Sequence, residues 1–292
     1  MRMPVAVAML AFSWAAQAAE PLMKPFVLAA REQGKVLEVA EAAQAKLAAA
    51  GFEVAGTYAP YPGALVVAIT SDELKELAAT SRFGGYAAAQ RVTFTKLGDE
   101  VQVAYTNPRY MAAAYRMTSD LAPVAAKLEA ALGRVEEFGS DEGKSARDLR
   151  GYHYMLGMPY FDDPSRFGKF KSHAAAVEAI EAGLAAKRGG ASKVYRVDLP
   201  GEKETVFGVA LTDGCSSDAR IMKEIDFKPT RSTGHLPYEL LVSGDEVFAL
   251  FGKFRIAVNF TDLKMMGSHS FMNIRCAPDA IEDALKKVVG EI

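Results

Sequence analysis

Residues 91–105 read RVTFTKLGDEVQVAY, and the pattern of this stretch decides the fold. Polar and apolar side chains alternate before Gly98-Asp99, and Val101, Val103 and Tyr105 recur at every second position after it. Successive side chains of a strand point to opposite faces, so this alternation predicts two strands that each bury one face. A Gly-Asp turn between two such runs predicts an antiparallel β-hairpin.

The same turn occurs again in the second half of the chain. Residues 244–247 repeat the tetrapeptide GDEV of residues 98–101, 146 positions later. Apolar residues flank this second copy, which predicts a second hairpin from Tyr238 to about Phe260. A match of four residues is weak evidence by itself, so the neighbouring elements decide whether the two halves are related.

Elements of the same kind surround both hairpins in the same order. The first hairpin is accompanied by a helix from Lys35, strands at 52–58 and 64–69, a helix opened by a Thr70/Glu73 capping box, and a helix from Ser119 or Asp120 to Gly133. The second is accompanied by a helix capped by Ser172, strands at 193–199 and 204–212, a helix at 217–224 and a helix at 279–289. This agreement predicts an internal duplication.

The fold class that follows is α+β, with two related units that each contain a small, mostly antiparallel sheet with helices on one face. We place a signal peptide at 1–18, an N-terminal segment at 19–34 and the first unit at 35–133. An ordered connector rich in aromatic residues covers 134–172, and the second unit covers 173–292.

This order of elements resembles the small α+β domains grouped as domain of unknown function 302. The residues that carry the resemblance are Gly51-Phe52, 64–69 and 101–110 (VQVAYTNPRY) in the first unit, and 205–212 and 236–251 in the second. In the second unit Gly252-Lys253 replaces the Asn-Pro step of the first. The resemblance implies one sheet in each unit, and it implies no reaction.

The N-terminus has the pattern of a secretory signal peptide. Arg2 provides a positive charge, residues 4–16 are apolar, and Ala16-Gln17-Ala18 places small residues before a cleavage site at Ala19. We therefore expect export to the periplasm. No later stretch is long and apolar enough for a membrane span. The 34 basic and 36 acidic side chains also argue against a nucleic-acid partner.

The chain has two cysteines, Cys215 and Cys276, each near a predicted transition from strand to helix. In an oxidising compartment they can form a disulfide. Two buried free thiols, or a reactive Cys215 thiolate at a helix N-terminus, are the alternatives.

Met265, Met266, His269 and Met272 indicate a soft metal site, because thioether and imidazole ligands suit Cu(I). If residues 269–275 form a strand, however, His269 and Met272 point to opposite faces and the methionines fill the core at a sheet edge. Both interpretations remain open for His269 and Met272.

The connector contains YHYMLGMPYF at residues 152–161, and four of these ten residues are aromatic. One interpretation is a structural clasp, with Tyr154, Tyr160 and Phe161 mostly buried against both units. The other is a ligand cleft at the junction, with Tyr152, His153, Tyr160 and Asp162 providing polar groups.

These features favour an exported, non-catalytic binding or accessory protein that holds a small ligand or a protein partner near the junction of the units. The alternative is a periplasmic hydrolase or redox enzyme that uses His153 with Asp162, or Cys215. The sequence leaves the ligand and any cofactor undetermined.

Overall fold

The computed structural model describes residues 20–201 and 204–290, so the predicted signal peptide lies outside the described residues. Two antiparallel sheets with helices packed on them make up this part of the chain, which confirms the α+β class. No helix within the described ranges is long and apolar enough to cross a membrane.

The first sheet has six strands in the order β2-β3-β4-β5-β1-β6. The predicted hairpin is β4–β5, in which Leu97 pairs with Glu100 across the Gly98-Asp99 turn. The strands are β1 (Phe26–Gln33), β2 (Glu53–Tyr58), β3 (Ala64–Thr70), β4 (Gln90–Leu97), β5 (Glu100–Thr106) and β6 (Glu136–Phe138).

The second sheet has five strands in the order β7-β11-β10-β9-β8. Its hairpin is β10–β11, in which Ser243 pairs with Glu246 across the Gly244-Asp245 turn. The strands are β7 (Ser165–Lys169), β8 (Ala191–Asp198), β9 (Glu204–Leu211), β10 (Tyr238–Ser243) and β11 (Glu246–Ala249). Strands β7 to β11 follow the same order as β1 to β5, so the two units share one topology, as the duplication requires.

The helices complete the parallel between the units. In the first unit and the connector they are α1 (Val36–Ala49), α2 (Asp72–Ala79), α3 (Pro108–Ala114), α4 (Ala122–Leu132) and α5 (Ala146–Arg150). In the second unit they are α6 (His173–Ala185), α7 (Asp218–Ile225), α8 (Gly252–Asn259) and α9 (Ala277–Val289). Short 3₁₀ segments lie at Gly84–Ala87, Arg188–Gly190, Gly214–Ser216, Thr233–His235 and Phe271–Ile274.

Several predicted helix starts differ in detail. Ser71, and not Thr70, caps α2, because the Ser71 hydroxyl accepts from the Leu74 amide while Thr70 donates to the Ala88 carbonyl. Helix α4 follows Leu121, which has a positive φ of 54°. Ser172 caps α6 as predicted, and Gly133 ends α4.

The predicted second hairpin extends too far, because residues 252–259 form helix α8 and not a strand. Nearly every residue of this helix is buried. When all sides of an element are buried, apolar residues no longer distinguish the helical period from the strand period. Strand β1 also lies in what the sequence predicted only as an N-terminal segment, and it pairs with β5 in the first sheet.

The two units are interlocked by reciprocal contacts. The 3₁₀ segment Gly84–Ala87 of the first unit packs on β9 and β10, and the segment Thr233–His235 of the second packs on β3, β4 and β5. Glu204 of β9 accepts hydrogen bonds from the Phe83 and Gly85 amides, at 2.9 and 2.8 Å. One hydrophobic core therefore contains residues of both units.

A buried ion pair also joins the units. Arg91 of β4 contacts the carboxylate of Glu239 on β10, and both side chains are at least 98% buried. Tyr195 donates to the same carboxylate oxygen at 2.6 Å, and Arg255 Nε lies 3.7 Å from the other oxygen.

The structure joins Cys215 to Cys276, with their Cα atoms 5.8 Å apart. The bond connects the 3₁₀ segment before α7 to the residue that precedes α9. It confirms the disulfide prediction and removes the alternatives of two free thiols and of a reactive Cys215 thiolate.

The disulfide predicts a loss of stability on reduction. It closes a loop across 61 positions, for which the chain-entropy model gives up to about 4 kcal/mol. Protein isolated from an oxidising compartment should melt at a lower temperature after reduction, and the C215S/C276S variant should melt like the reduced protein. Thiol labelling of the denatured protein should find no thiol before reduction and two after it. Two thiols before reduction would disprove the bond.

The buried ion pair predicts a large effect of Glu239→Gln. The substitution leaves two guanidinium groups buried without a carboxylate, and breaking such a pair costs about 3–5 kcal/mol. Glu73→Gln is the matched control, because Glu73 forms an exposed pair with Lys127 and exposed pairs contribute about 0–1 kcal/mol. Urea denaturation measures both. Equal effects of the two substitutions would show that the buried pair does not hold the units together.

Candidate functional site

Phe161 is the point at which the connector packs against both units. Its ring is 3% exposed. It stacks on Tyr115 of the first unit at 5.2 Å and lies 6.2 Å from the ring of Phe254 in α8. The structural clasp predicted for the connector is therefore present at this residue.

For the other two aromatic residues the prediction holds only in part. Tyr160 is 38% exposed, and Tyr154 is half-buried. The reason is local: Phe161 occupies the gap between the units, and Tyr160 lies against His153, whose ring centroid is 4.5 Å away.

Three of the four predicted cleft residues form a partly exposed cluster around Arg116. The guanidinium of Arg116 pairs with Asp162 and lies 5.7 Å from the ring centroid of Tyr160, on which His153 packs. Tyr152 does not join them, because its hydroxyl donates to the Ala257 carbonyl at 3.0 Å. The structure thus brings His153, Tyr160 and Asp162 together on the surface, with the Asp162 carboxylate directed to an arginine.

A small apolar cavity lies where the connector meets the second unit. Its volume is about 110 Å³. The connector, α8 and the segment that follows α8 all contribute to it. The lining residues are Tyr154, Met155, Met158, Lys253, Ile256, Ala257, Phe260, Leu263, Met265 and Phe271. Among these described residues Lys253 alone is charged. The sequence did not predict this cavity, because α8 was predicted as part of a strand.

Exposed apolar side chains continue from this cavity onto the surface. Met155 is 47% exposed, Met265 38% and Met266 78%, and Leu156 is almost fully exposed. Methionine is flexible and polarizable, so surfaces rich in it adapt to different apolar groups.

A second, polar cavity shares Phe260 and Leu263 with the apolar one. Its volume is about 230 Å³. Its walls come from the end of α7, the segment after α8 and the connector. The lining residues are Gly139, Asp141, Ile225, Asp226, Phe227, Lys228, Ser232, Phe260, Asp262, Leu263, Lys264, Ser268 and His269. Asp226 provides a buried carboxyl group in the wall of this cavity. The sequence analysis did not predict a role for this residue.

His269 lies in the wall of this polar cavity. Its Nδ1 is 2.9 Å from the Glu224 carbonyl oxygen, and its ring stacks on Phe227 at 4.4 Å. The predicted strand at 269–275 is absent, because residues 271–274 form a 3₁₀ segment. Met272 is 44% exposed, and its amide donates to the Met265 carbonyl. In the described ranges no three His, Cys, Asp or Glu residues are grouped to hold a metal. The soft-metal site at His269 and Met272 stays a prediction.

The packing of the connector predicts effects of very different size for substitutions at two neighbouring residues. Phe161→Ala should destabilise the protein by about 3–5 kcal/mol, because it removes a buried aromatic ring. Tyr160→Ala should change the free energy of unfolding by only about 0.5 kcal/mol, as at other exposed sites. Urea denaturation of both variants measures the difference. A similar cost for both would mean that Tyr160 also supports the core.

Comparisons with protein-family models, with curated proteins and with solved structures find no match for this chain.

Proposed function

We propose that the chain is an exported, non-catalytic binding protein that holds an apolar group of its ligand in the cavity between the connector and the second unit. The observation that carries this proposal is the composition of the cavity wall, which is apolar apart from Lys253 and the hydroxyl of Tyr154. A ligand group bound against such a wall buries apolar surface, which contributes about 25 cal/mol per Å² to binding. The wall has few polar groups that could take part in catalysis.

The size of the cavity limits the bound group. An engineered cavity of about 150 Å³ with apolar walls binds benzene. A volume of about 110 Å³ suits a group of that size or smaller, such as a short aliphatic chain or one apolar side chain. The exposed methionines beside the cavity provide further contacts to the rest of a larger ligand.

Export supports a periplasmic location in this proposal. The predicted signal peptide would direct export to the periplasm, and the Cys215–Cys276 bond fits an oxidising compartment. The resemblance to domain of unknown function 302 stays a prediction alongside it.

The enzyme alternative has less support. Cys215 is bonded to Cys276 and cannot act as a thiolate nucleophile. Asp162 pairs with Arg116, so it does not orient His153 as the carboxylate of a catalytic pair would.

The proposal is tested by filling the cavity. Ala257→Leu adds three carbons to a buried wall residue, and Ala48→Leu adds the same group at an exposed position of α1. Binding of benzyl alcohol and 1-hexanol is followed by chemical-shift changes of the methionine methyl groups.

We expect saturable binding to the wild type and to Ala48→Leu, and at least about tenfold weaker binding to Ala257→Leu, a loss of about 1.4 kcal/mol. Thermal melting checks that both variants fold. Equal binding by the two folded variants would contradict the proposal, and native mass spectrometry of exported protein would then show whether a ligand is retained elsewhere.

A further inference from the structure

Asp226 is a buried carboxylic acid with one unused oxygen. Its side chain lies in the wall of the polar cavity and is 7% exposed. Oδ1 accepts a hydrogen bond from the Ser232 amide at 2.8 Å, whereas Oδ2 has no partner within residues 20–201 and 204–290. A buried polar atom without a hydrogen-bond partner costs about 1–3 kcal/mol of stability, so a ligand that donates a hydrogen bond to this oxygen would bind favourably.

Arg231 and Lys228 form their hydrogen bonds and ion pairs with groups other than this carboxyl group. Arg231 donates to the backbone carbonyl of Asp226 and not to its side chain. Lys228 is shared between the carboxylates of Asp141, at 3.0 Å, and Asp262. Burial raises the pKa of Asp226 to about 7, against the lowering effects of the Ser232 amide and of Arg231.

Besides the two cations Lys228 and Lys264, the cavity wall offers acceptors and aromatic surface. A carbonyl oxygen only accepts, so the contact between His269 Nδ1 and the Glu224 carbonyl makes Nδ1 the donor. In neutral His269 the other ring nitrogen, Nε2, is then an acceptor. Phe227 and Phe260 provide rings, which attract cations to their faces.

These features select one class of ligand. An anion would meet an unpaired carboxylate, and an apolar molecule would leave Oδ2 of Asp226 without a donor. A primary ammonium group carries a positive charge and three N–H donors. The volume of about 230 Å³ is smaller than the roughly 300–1,000 Å³ of pockets for drug-sized ligands, so a short chain fits.

We propose that this cavity is a binding site for a small primary alkylammonium ion, whose N–H groups bond to the Asp226 carboxylate and to Nε2 of His269. The site is distinct from the apolar cavity and does not rest on the function proposed for it.

The charges around Asp226 define the expected pH dependence. Arg231, Lys228 and Lys264 are cations, Asp141 and Asp262 are anions, and Tyr61 and His269 are the remaining titratable neighbours. With a pKa of about 7, Asp226 is about 3% ionised at pH 5.5 and about 90% ionised at pH 8. An alkylammonium ion, like lysine with its pKa of about 10.4, keeps its charge at both values.

The test is isothermal titration of the full mature chain with n-butylammonium chloride, with 1-butanol as the uncharged control. We expect n-butylammonium to bind saturably at pH 8 and about 30-fold more weakly at pH 5.5, the ratio of the two ionised fractions. 1-Butanol should bind at least tenfold more weakly at pH 8. Equal binding of the two compounds would overturn the proposal and would leave an ordered water as the partner of Asp226.

Substitutions test the contribution of Asp226 to binding separately from the contributions of its neighbours. Asp226→Asn should lose at least tenfold in affinity at pH 8 together with the pH dependence, whereas His269→Gln should bind more weakly but keep the dependence. Ser268→Leu, which narrows the cavity, gives a second readout should Asp226→Asn fail to fold. Unchanged affinity in folded Asp226→Asn or in Ser268→Leu would disprove the site.

The same titrations distinguish this site from the proposed function. Ala257→Leu should leave n-butylammonium binding unchanged, and Asp226→Asn should leave benzyl alcohol binding unchanged. Loss of both ligands in either variant would mean that the two cavities form one site, which contradicts the proposal of a distinct ammonium site.

Discussion

The carboxylate of Glu239 is the group on which the joining of the two units depends. It lies between Arg91 of the first unit and Arg255 of the second, and all three side chains are almost completely buried. Removal of these charges from water costs free energy, which their mutual attraction and the hydrogen bond from Tyr195 offset. Separation of the units would break the contact of Arg91 with Glu239 and expose a core that both units share. The two sheets are therefore parts of one body, although each has its own topology and hairpin.

Because the two units share one topology, the segments that line the cavities can be compared with the corresponding segments of the first unit. Between α3 and α4 the first unit has seven residues, 115–121, whereas between α8 and α9 the second has 17, 260–276. The longer segment provides Leu263, Met265 and Phe271 to the apolar cavity, and Lys264, Ser268 and His269 to the polar one. Both cavities therefore depend on the part of the second unit in which it departs most from the first. Loops can change in length without loss of the sheet that supports them, and binding residues are often found on them.

The sequence predicted what depends on local pattern and missed what depends on distant contacts. The two GDEV turns, the alternation beside them and the Ser172 cap are local signals, and the corresponding hairpins and helix are present. The prediction of a strand at residues 252–259 was wrong, because neighbours bury helix α8 on all sides. Asp226 gave no signal, since an aspartate after a helix is ordinary until the fold closes over it. The cysteine pair was predicted from count and compartment, and its geometry required the structure.

The disulfide connects the two elements that form the polar cavity. Cys215 lies just before α7, at whose C-terminal end Asp226 is found, and Cys276 ends the segment 260–276 that carries His269. Within that segment the Phe271 amide donates to the Lys264 carbonyl, and Ser270 and Asn273 form a capping box. Its 3₁₀ part, Phe271–Ile274, also packs on α7, and Ile274 is buried in the core of the second unit. The covalent bond at one end, the contact of His269 with the Glu224 carbonyl near the middle and this packing together hold the cavity wall against α7.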